Sequence, residues 1–243
     1  MIRKSTLPRE AADRPLQPLL AWAAVGALIL LMPFSQAAAH DISEANRAAI
    51  EAMQGPQPMV FFYLGAKHMV TGIDHVLFLI GVMFYLRRLR DVVLYASMFT
   101  IGHSVTLLGG VLLNTGANAY IVDAIIGLSV VYKGFENIGG LRAMGLRIDP
   151  RAAVLVFGLF HGLGLATKVL DLAVSDDGLL TNLISFNIGV EMGQLLVLAV
   201  VIVLLGAWRG TRSFAAGSYF VNTGLIAAGL ILTGIHLTGY LAS

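Results

Sequence analysis

Two histidines and an aspartate lie in one apolar stretch, KHMVTGIDHVLFLIG, residues 67–81. Ionisable side chains are costly in hydrocarbon, so we treat them as candidate functional groups. At about 100° per residue of helix, His68 and His75 are separated by about 20° around the axis and about 10.5 Å along it. Because metal–nitrogen bonds are about 2 Å long, a straight helix cannot bring both imidazoles to one ion. Either the helix opens near Gly72, or the two histidines are successive positions on one path. Asp74 points about a third of a turn away and either orients a neighbouring histidine or binds from another side.

Other apolar segments carry complementary groups. His103 lies in FTIGHSVTLL with Ser104 beside it, and His161 lies in FHGLGLA. Asn187 and Glu191 share one face of a later helical segment. Neutral imidazoles with one or two carboxylates and no thiolate suit Ni, Co, Cu(II), Zn or Fe(II) better than Mg or Ca. The same groups could instead relay protons.

The composition is that of an integral membrane protein. Of the 243 residues, 57% are hydrophobic and 12% are charged, and the mean hydropathy is +0.81. A net charge of +2 does not indicate nucleic acid as a partner. Since there is no cysteine, disulfides, thiolate metal sites and cysteine nucleophiles are excluded.

The amino-terminal segment, residues 1–39, has the layout of a secretory signal peptide, with a basic start, an apolar core and a small-residue end. Cleavage after Ala39 would make His40 the first residue, and its α-amino nitrogen and imidazole Nδ1 could capture Cu(II) or Ni(II). The alternative is an uncleaved signal anchor that forms an extra helix. We expect residues 40–58 to be a short periplasmic segment and residues 59–243 to be the membrane domain.

The fold class we expect is all-α, a polytopic bundle of six transmembrane helices. Each segment is long enough for the roughly 20 residues of a spanning helix. The segments are 59–86, 92–113, 118–138, 152–170, 179–205 and 217–242. Arginines concentrate in alternate connections, which predicts that those connections are cytoplasmic and that both mature termini are periplasmic, in a bacterial inner membrane. The shared start of FTIGHSVTLL and FNIGVEMGQLL hints at a three-plus-three inverted repeat.

Several motifs together resemble a known family. His68, Asp74 and His75 form a His-x5-Asp-His signature, residues 160–162 form a Phe-His-Gly element, and the flanking stretches are FTIGHSVTL, YKGFEN and FNIGVEMGQ. This combination resembles the second branch of the HupE/UreJ family of bacterial membrane proteins, which is linked to nickel or cobalt handling for hydrogenase and urease. The resemblance implies a metal path lined by His68, Asp74, His75, His103, Glu136, His161 and Glu191.

One position departs from the family pattern. In the better-known branch a glutamate follows the Phe-His-Gly element, whereas this sequence has Lys168, a cation that would not attract a divalent metal. Glu191 on the next helix is the candidate to take its place. Asn187, Ser104 and Asn137 are candidate supporting polar groups.

The sequence therefore predicts a protein, not an enzyme, that binds and transports a divalent transition metal, nickel or cobalt, with copper or zinc as alternatives. No Gly-x4-Gly-Lys-Ser/Thr loop is present, so the chain itself is not an ATPase. The expected partners are the metal ion, the lipid bilayer, and metalloenzyme maturation proteins or a larger membrane complex. Three other functions remain open: a membrane-embedded zinc hydrolase, a haem protein with His103 and His161 as axial ligands, and an accessory subunit of a membrane complex.

Overall fold

A computed structural model describes residues 55–171 and 177–243 of the chain. The predicted signal peptide, His40 and most of the segment 40–58 lie outside the described residues. Within them, every regular element is a helix, which confirms the all-α class. The helices are α1 (Pro58–Thr71), α2 (Ile73–Met83), α3 (Leu89–Leu112), α4 (Ala119–Asn137), α5 (Gly140–Ala143), α6 (Pro150–Leu170), α7 (Leu179–Arg209) and α8 (Phe214–Ala242).

Four helices, α3, α6, α7 and α8, are long and apolar enough to cross a membrane. The predicted first span is divided, because α1 and α2 meet the same criterion only as a pair that is bent by 63°. The predicted third span, α4, is not among these candidates. Its 19 residues include three charged side chains, Asp123, Lys133 and Glu136.

Local sequence sets several helix starts. Pro58 and Pro150 stand in the first turns of α1 and α6, where a missing N–H costs no hydrogen bond. Asn118 caps α4 by accepting a hydrogen bond from the Ile121 N–H at 3.2 Å. Asp149 caps α6 in the same way through the Arg151 N–H at 2.8 Å.

The helices pack as three close pairs, α1 with α7, α3 with α6, and α4 with α8. In each pair glycines face the partner backbone, so that a Cβ atom would collide with it. Small residues let membrane helices approach until their backbones touch. The glycines are Gly65 and Gly189 in the first pair, Gly102 and Gly158 in the second, and Gly127 and Gly229 in the third.

The short helix α2 lies inside the bundle, against α4, α7 and α8. Its last carbonyls, of Met83 and Phe84, accept hydrogen bonds from the Arg209 guanidinium at the end of α7. Asn137 of α4 donates to the Gly81 carbonyl at 2.8 Å and to the Asn222 side chain of α8 at 2.7 Å. These polar contacts fix α2, which carries the central histidine.

Candidate metal site

The site is built around a helix break at Gly72. This residue has φ −67° and ψ 104°, an extended conformation that ends α1 and starts α2. A Cβ at Gly72 would lie 2.8 Å from His75 Nδ1 and 2.9 Å from the His68 carbonyl oxygen. The break brings the rings of His68 and His75 to a centroid distance of 4.9 Å. Of the two arrangements that the sequence left open, the structure has the opened helix.

Asp74 orients His75. Its Oδ1 accepts the backbone N–H of His75 at 2.8 Å and lies 3.1 Å from the ring Nδ1. A carboxylate only accepts, so Nδ1 carries the proton and Nε2 carries the lone pair of a neutral ring. A carboxylate behind a histidine fixes the ring and makes it a better metal ligand. This is the first of the two roles that the sequence allowed for Asp74.

His161, on α6, is also oriented by an acceptor at its Nδ1 atom. Its Nδ1 lies 2.8 Å from the Phe157 carbonyl oxygen, an acceptor, so the proton is on Nδ1 and the lone pair is on Nε2. The side chain is buried, with 2% exposed, and Nε2 has no hydrogen-bond partner among the described residues. A buried nitrogen lone pair that lacks a donor is costly unless something else binds it. The His161 ring lies 4.7 Å from the His75 ring.

The other two histidines also lie close to His75. His68 contacts His75 from the last turn of α1. His103 is completely buried on α3, and its ring centroid is 6.4 Å from that of His75. The ring nitrogens of His103 make no hydrogen bond of ordinary geometry within the described residues, although the Asn187 side chain lies beside the ring. Three histidines from three helices thus surround His75.

Two phenylalanines close the site. Phe78 lies 5.5 Å from the ring of His161, and Phe99 lies 5.0 Å from it. Phe99 also contacts His103 at 6.1 Å. Both phenylalanine side chains are fully buried. Phe99 thus contacts both of the histidines that the haem hypothesis would use as axial ligands.

Asp74, His75 and His161 form a buried group that could hold a metal ion. One ligand atom from each lies within 4.8 Å of the other two. Imidazole nitrogens suit Ni, Co, Zn or Fe(II), and Asp74, whose Oδ1 faces His75 Nδ1, supports His75 from behind. The break places the C-terminal carbonyls of α1 beside the first turn of α2, where the negative charge of Asp74 suits the positive end of the α2 helix dipole.

Two predicted path residues lie elsewhere. Glu136 pairs with Lys133, three residues earlier on α4, at 2.6 Å, and it is not part of the three-residue group. Glu191 is on the exposed face of α7, so the structure does not place it where Lys168 departs from the family pattern. Ser104 is half-buried one residue beyond His103.

The charge of Lys168 is neutralised by a residue that the sequence did not point to. Its Nζ lies 2.9 Å from Asp123 Oδ2 on α4, and His236 Nδ1 of α8 lies 3.8 Å from the same oxygen. The unfavourable field that Lys168 would exert on a metal is therefore largely cancelled. Phe78 and Phe99 were also missed by the sequence reasoning, because apolar residues in apolar helices carry no distinguishing signal.

The comparisons with known proteins agree with this architecture. No curated protein and no solved structure matches the chain. The family described as HupE / UreJ protein matches residues 44–243, which include all eight helices of the described part of the chain. The chain belongs to the HupE/UreJ family.

Proposed function

We propose that this protein binds a divalent transition metal, nickel or cobalt, at the broken helix and carries it across the membrane. The main support is the set of buried imidazoles around His75, two of which, His75 and His161, have their Nδ1 atoms occupied by acceptors. Such rings hold Nε2 ready for a metal. Copper and zinc would fit the same donors, and the family favours nickel or cobalt.

The arrangement suits a cargo better than a permanent cofactor. Structural metal sites are usually closed by four protein ligands. Here Asp74 is shared with His75, and His68 and His103 lie nearby without joining the three-residue group. Weak ligand positions spread along a route allow an ion to bind and leave.

Asn187 and Glu191 are proposed as the approach to this route. They lie one turn apart on α7, with Glu191 on the exposed face and Asn187 beside His103. Ser104 would assist on α3. Glu136 and Asn137 would act at the cytoplasmic end, and His40 would act as a capture site at the mature amino terminus.

We propose six crossings of a bacterial inner membrane after removal of a signal peptide, with both mature termini in the periplasm. The divided helix would be the first crossing, and α4 would be the third. At 1.5 Å per residue, α4 is about 28 Å long, close to the roughly 30 Å of the hydrocarbon layer. Its charges are paired or face other helices, as membrane burial requires. The maturation machinery of nickel or cobalt enzymes would be the partner that receives the ion.

The test is metal uptake by the purified chain in proteoliposomes that contain a fluorescent chelator. We expect Ni²⁺ or Co²⁺ to enter, and His75→Ala to reduce the rate to that of empty liposomes. The matched control is Ser185→Ala. The Ser185 hydroxyl donates only to the Thr181 carbonyl within its own helix, so uptake should persist.

Two outcomes would refute transport. If wild type and His75→Ala accumulate Ni²⁺, Co²⁺, Cu²⁺ and Zn²⁺ at the same rate, the histidines do not carry the ion. If the purified chain retains one tightly bound zinc ion through dialysis against a chelator, the zinc hydrolase becomes the better hypothesis.

A further inference from the structure

Two of the three helix crossings are alike atom by atom. In the pair of α1 and α7, a Cβ on Gly65 would meet the carbonyl oxygen of Phe186. In the pair of α3 and α6, a Cβ on Gly158 would meet the carbonyl oxygen of Phe99. The two contacts therefore correspond if α1 is matched with α6 and α7 is matched with α3. Gly65 then corresponds to Gly158, and Phe186 corresponds to Phe99.

The glycines on the other helix of each pair follow the same correspondence. A Cβ on Gly189 of α7 would meet the carbonyl oxygen of Phe62 on α1. A Cβ on Gly102 of α3 would meet the carbonyl oxygen of Leu155 on α6. Four glycine contacts thus match with the same residue offsets between the two helix pairs.

The third crossing maps onto itself. A Cβ on Gly127 of α4 would lie 2.8 Å from the backbone nitrogen of Thr233 on α8. A Cβ on Gly229 of α8 would lie 2.8 Å from the backbone nitrogen of Val131 on α4. The contact between α4 and α8 is thus the same when the two helices are interchanged, as expected for a crossing that lies on a twofold axis. The order α1, α3, α4 then repeats as α6, α7, α8, as in inverted-repeat transporters.

The repeat makes two site histidines equivalent. Both follow a crossing glycine in a Gly-x-x-His sequence, GAKH for His68 and GLFH for His161. Both rings pack edge-on against His75, at 4.9 Å with a 73° angle and at 4.7 Å with a 72° angle. Their aromatic neighbours also correspond, Phe186 at 6.0 Å from His68 and Phe99 at 5.0 Å from His161.

The candidate metal group includes one of the two equivalent histidines and leaves out the other. Two nitrogens on one ion, each about 2.1 Å from it, must lie within about 4.2 Å of each other. Among the described residues, His161 belongs to the three-residue group with Asp74 and His75, whereas His68 does not. The Nδ1 atom of His75 faces Asp74, so the Nε2 atom is the His75 nitrogen that would bind an ion together with either His68 or His161.

We infer that the chain is two inverted halves, and that His68 and His161 are alternative ligands that hold the ion in turn against the shared His75. This rests on the proposed function for the identity of the cargo. The two halves differ at the centre. The counterpart of His75, seven residues beyond the second histidine, is Lys168, and the counterpart of Gly72 is Leu165 in the unbroken α6. His75 is therefore the one central ligand for two ion positions, one with His68 and one with His161. Each chain then holds one ion, which passes from one flanking histidine to the other; we call this transfer the hand-over.

The first experiment measures binding of Co²⁺ to the purified full-length chain by its visible absorption, with Ni²⁺ as competitor. The variants are His68→Gln, His161→Gln, their combination, and His75→Gln. For two mutually exclusive positions, the association constants of the single variants add up to that of wild type. At least one single variant therefore keeps half or more of the wild-type constant, while the double variant falls to the level of His75→Gln. Uptake by proteoliposomes is lost in both single variants, because the ion has no second position.

Three outcomes separate this inference from the proposed function. If both single variants bind no better than the double variant, His68 and His161 act on one position and the hand-over is wrong. If either single variant transports at the wild-type rate, the two histidines are not successive ligands. If the wild-type chain binds neither metal, the proposed function fails, and the hand-over fails with it.

The inverted halves have a test that needs no metal. Gly102→Val and Gly189→Val insert side chains at equivalent crossings, so both should lower the thermal midpoint in detergent by a similar amount. The control is Gly224→Val, whose Cβ would meet nothing within 4 Å. If one of the two crossing variants unfolds like the control while the other is destabilised, the crossings are not equivalent.

Discussion

The substitution Gly72→Ala should damage the metal site without changing the charge or the ligands. Alanine adopts the backbone angles of Gly72 without strain, since φ −67° and ψ 104° are ordinary extended values. The obstacle is space. The new Cβ would lie 2.8 Å from His75 Nδ1, and real Cβ atoms essentially never come closer than 3.0 Å to another heavy atom.

The size of the effect follows from these distances. Ordinary contact begins at 3.4 Å, so the His75 ring must withdraw by about 0.6 Å. The hydrogen bond from His75 Nδ1 to Asp74 is already 3.1 Å long, and a displacement of this size breaks it. Hydrogen bonds to charged groups contribute about 1.5 to 3 kcal/mol. Loss of the partner behind a metal-binding histidine lowers metal affinity by about 10- to 100-fold.

The assay is competition for Ni²⁺ between the purified chain and a chromophoric chelator. Gly109→Ala is the matched control, because a Cβ at that glycine meets nothing within 4 Å. We expect the control to bind Ni²⁺ as wild type does and Gly72→Ala to bind about 10- to 100-fold more weakly, with unchanged elution in size-exclusion chromatography. Wild-type affinity in Gly72→Ala would refute the reasoning that Gly72 leaves room for an oriented His75.

Three further predictions concern groups around the site. Asp74→Asn should weaken Ni²⁺ binding by about 10- to 100-fold in the same competition assay, because the carboxylate behind His75 is lost, and unchanged affinity would contradict that role. Lys168→Met should lower the free energy of unfolding in detergent by about 3 kcal/mol, because the buried Asp123 carboxylate loses its lysine partner and is left with His236, whose Nδ1 is 3.8 Å away. The double variant Lys168→Met/Asp123→Leu should recover most of that loss, and a double variant as unstable as the single one would contradict the pairing. Arg209→Gln should cost about 1.5 to 3 kcal/mol in the same measurement through the carbonyls at the end of α2, whereas an unchanged midpoint would show that water replaces the guanidinium there.

Helical periodicity predicted the angular relations within each helix but not where a helix ends. The angles of His68, Asp74 and His75 assumed a straight helix, and they could not distinguish an opened helix from a path along one stripe. The break depends on a glycine whose missing side chain makes room for His75. That need is visible only once the ring is in place.

The direction in which a polar stripe faces could not be read from the sequence. In a membrane bundle both the lipid side and the interior are apolar, so the hydrophobic pattern carries little information about which face is buried. Asn187 and Glu191 therefore looked equivalent, although Asn187 faces His103 and Glu191 faces outward. The pairing of Lys168 with Asp123 joins α6 to α4 and needs the packing of the helices to be known. The pairing of Lys133 with Glu136, by contrast, lies within one turn of one helix, where the spacing of three residues brings the two side chains together.

The family assignment and the all-helical class were reached from motifs and composition, and both are confirmed. The signature residues are close in sequence, which makes them visible without a structure. Their convergence with His103 and His161 required the three glycine crossings. The chain contains 27 glycines, but which of them face one another becomes apparent only from the packed helices.

The central claim is that a transition metal binds in the membrane interior at His75. The most direct measurement is an anomalous difference map from crystals of the purified chain grown with Ni²⁺, recorded at the nickel absorption edge. The account predicts one peak about 2.1 Å from a ring nitrogen of His75 and of one flanking histidine, His161 or His68, and its loss in His75→Gln. A peak confined to surface carboxylates, or one that persists in His75→Gln, would contradict the account.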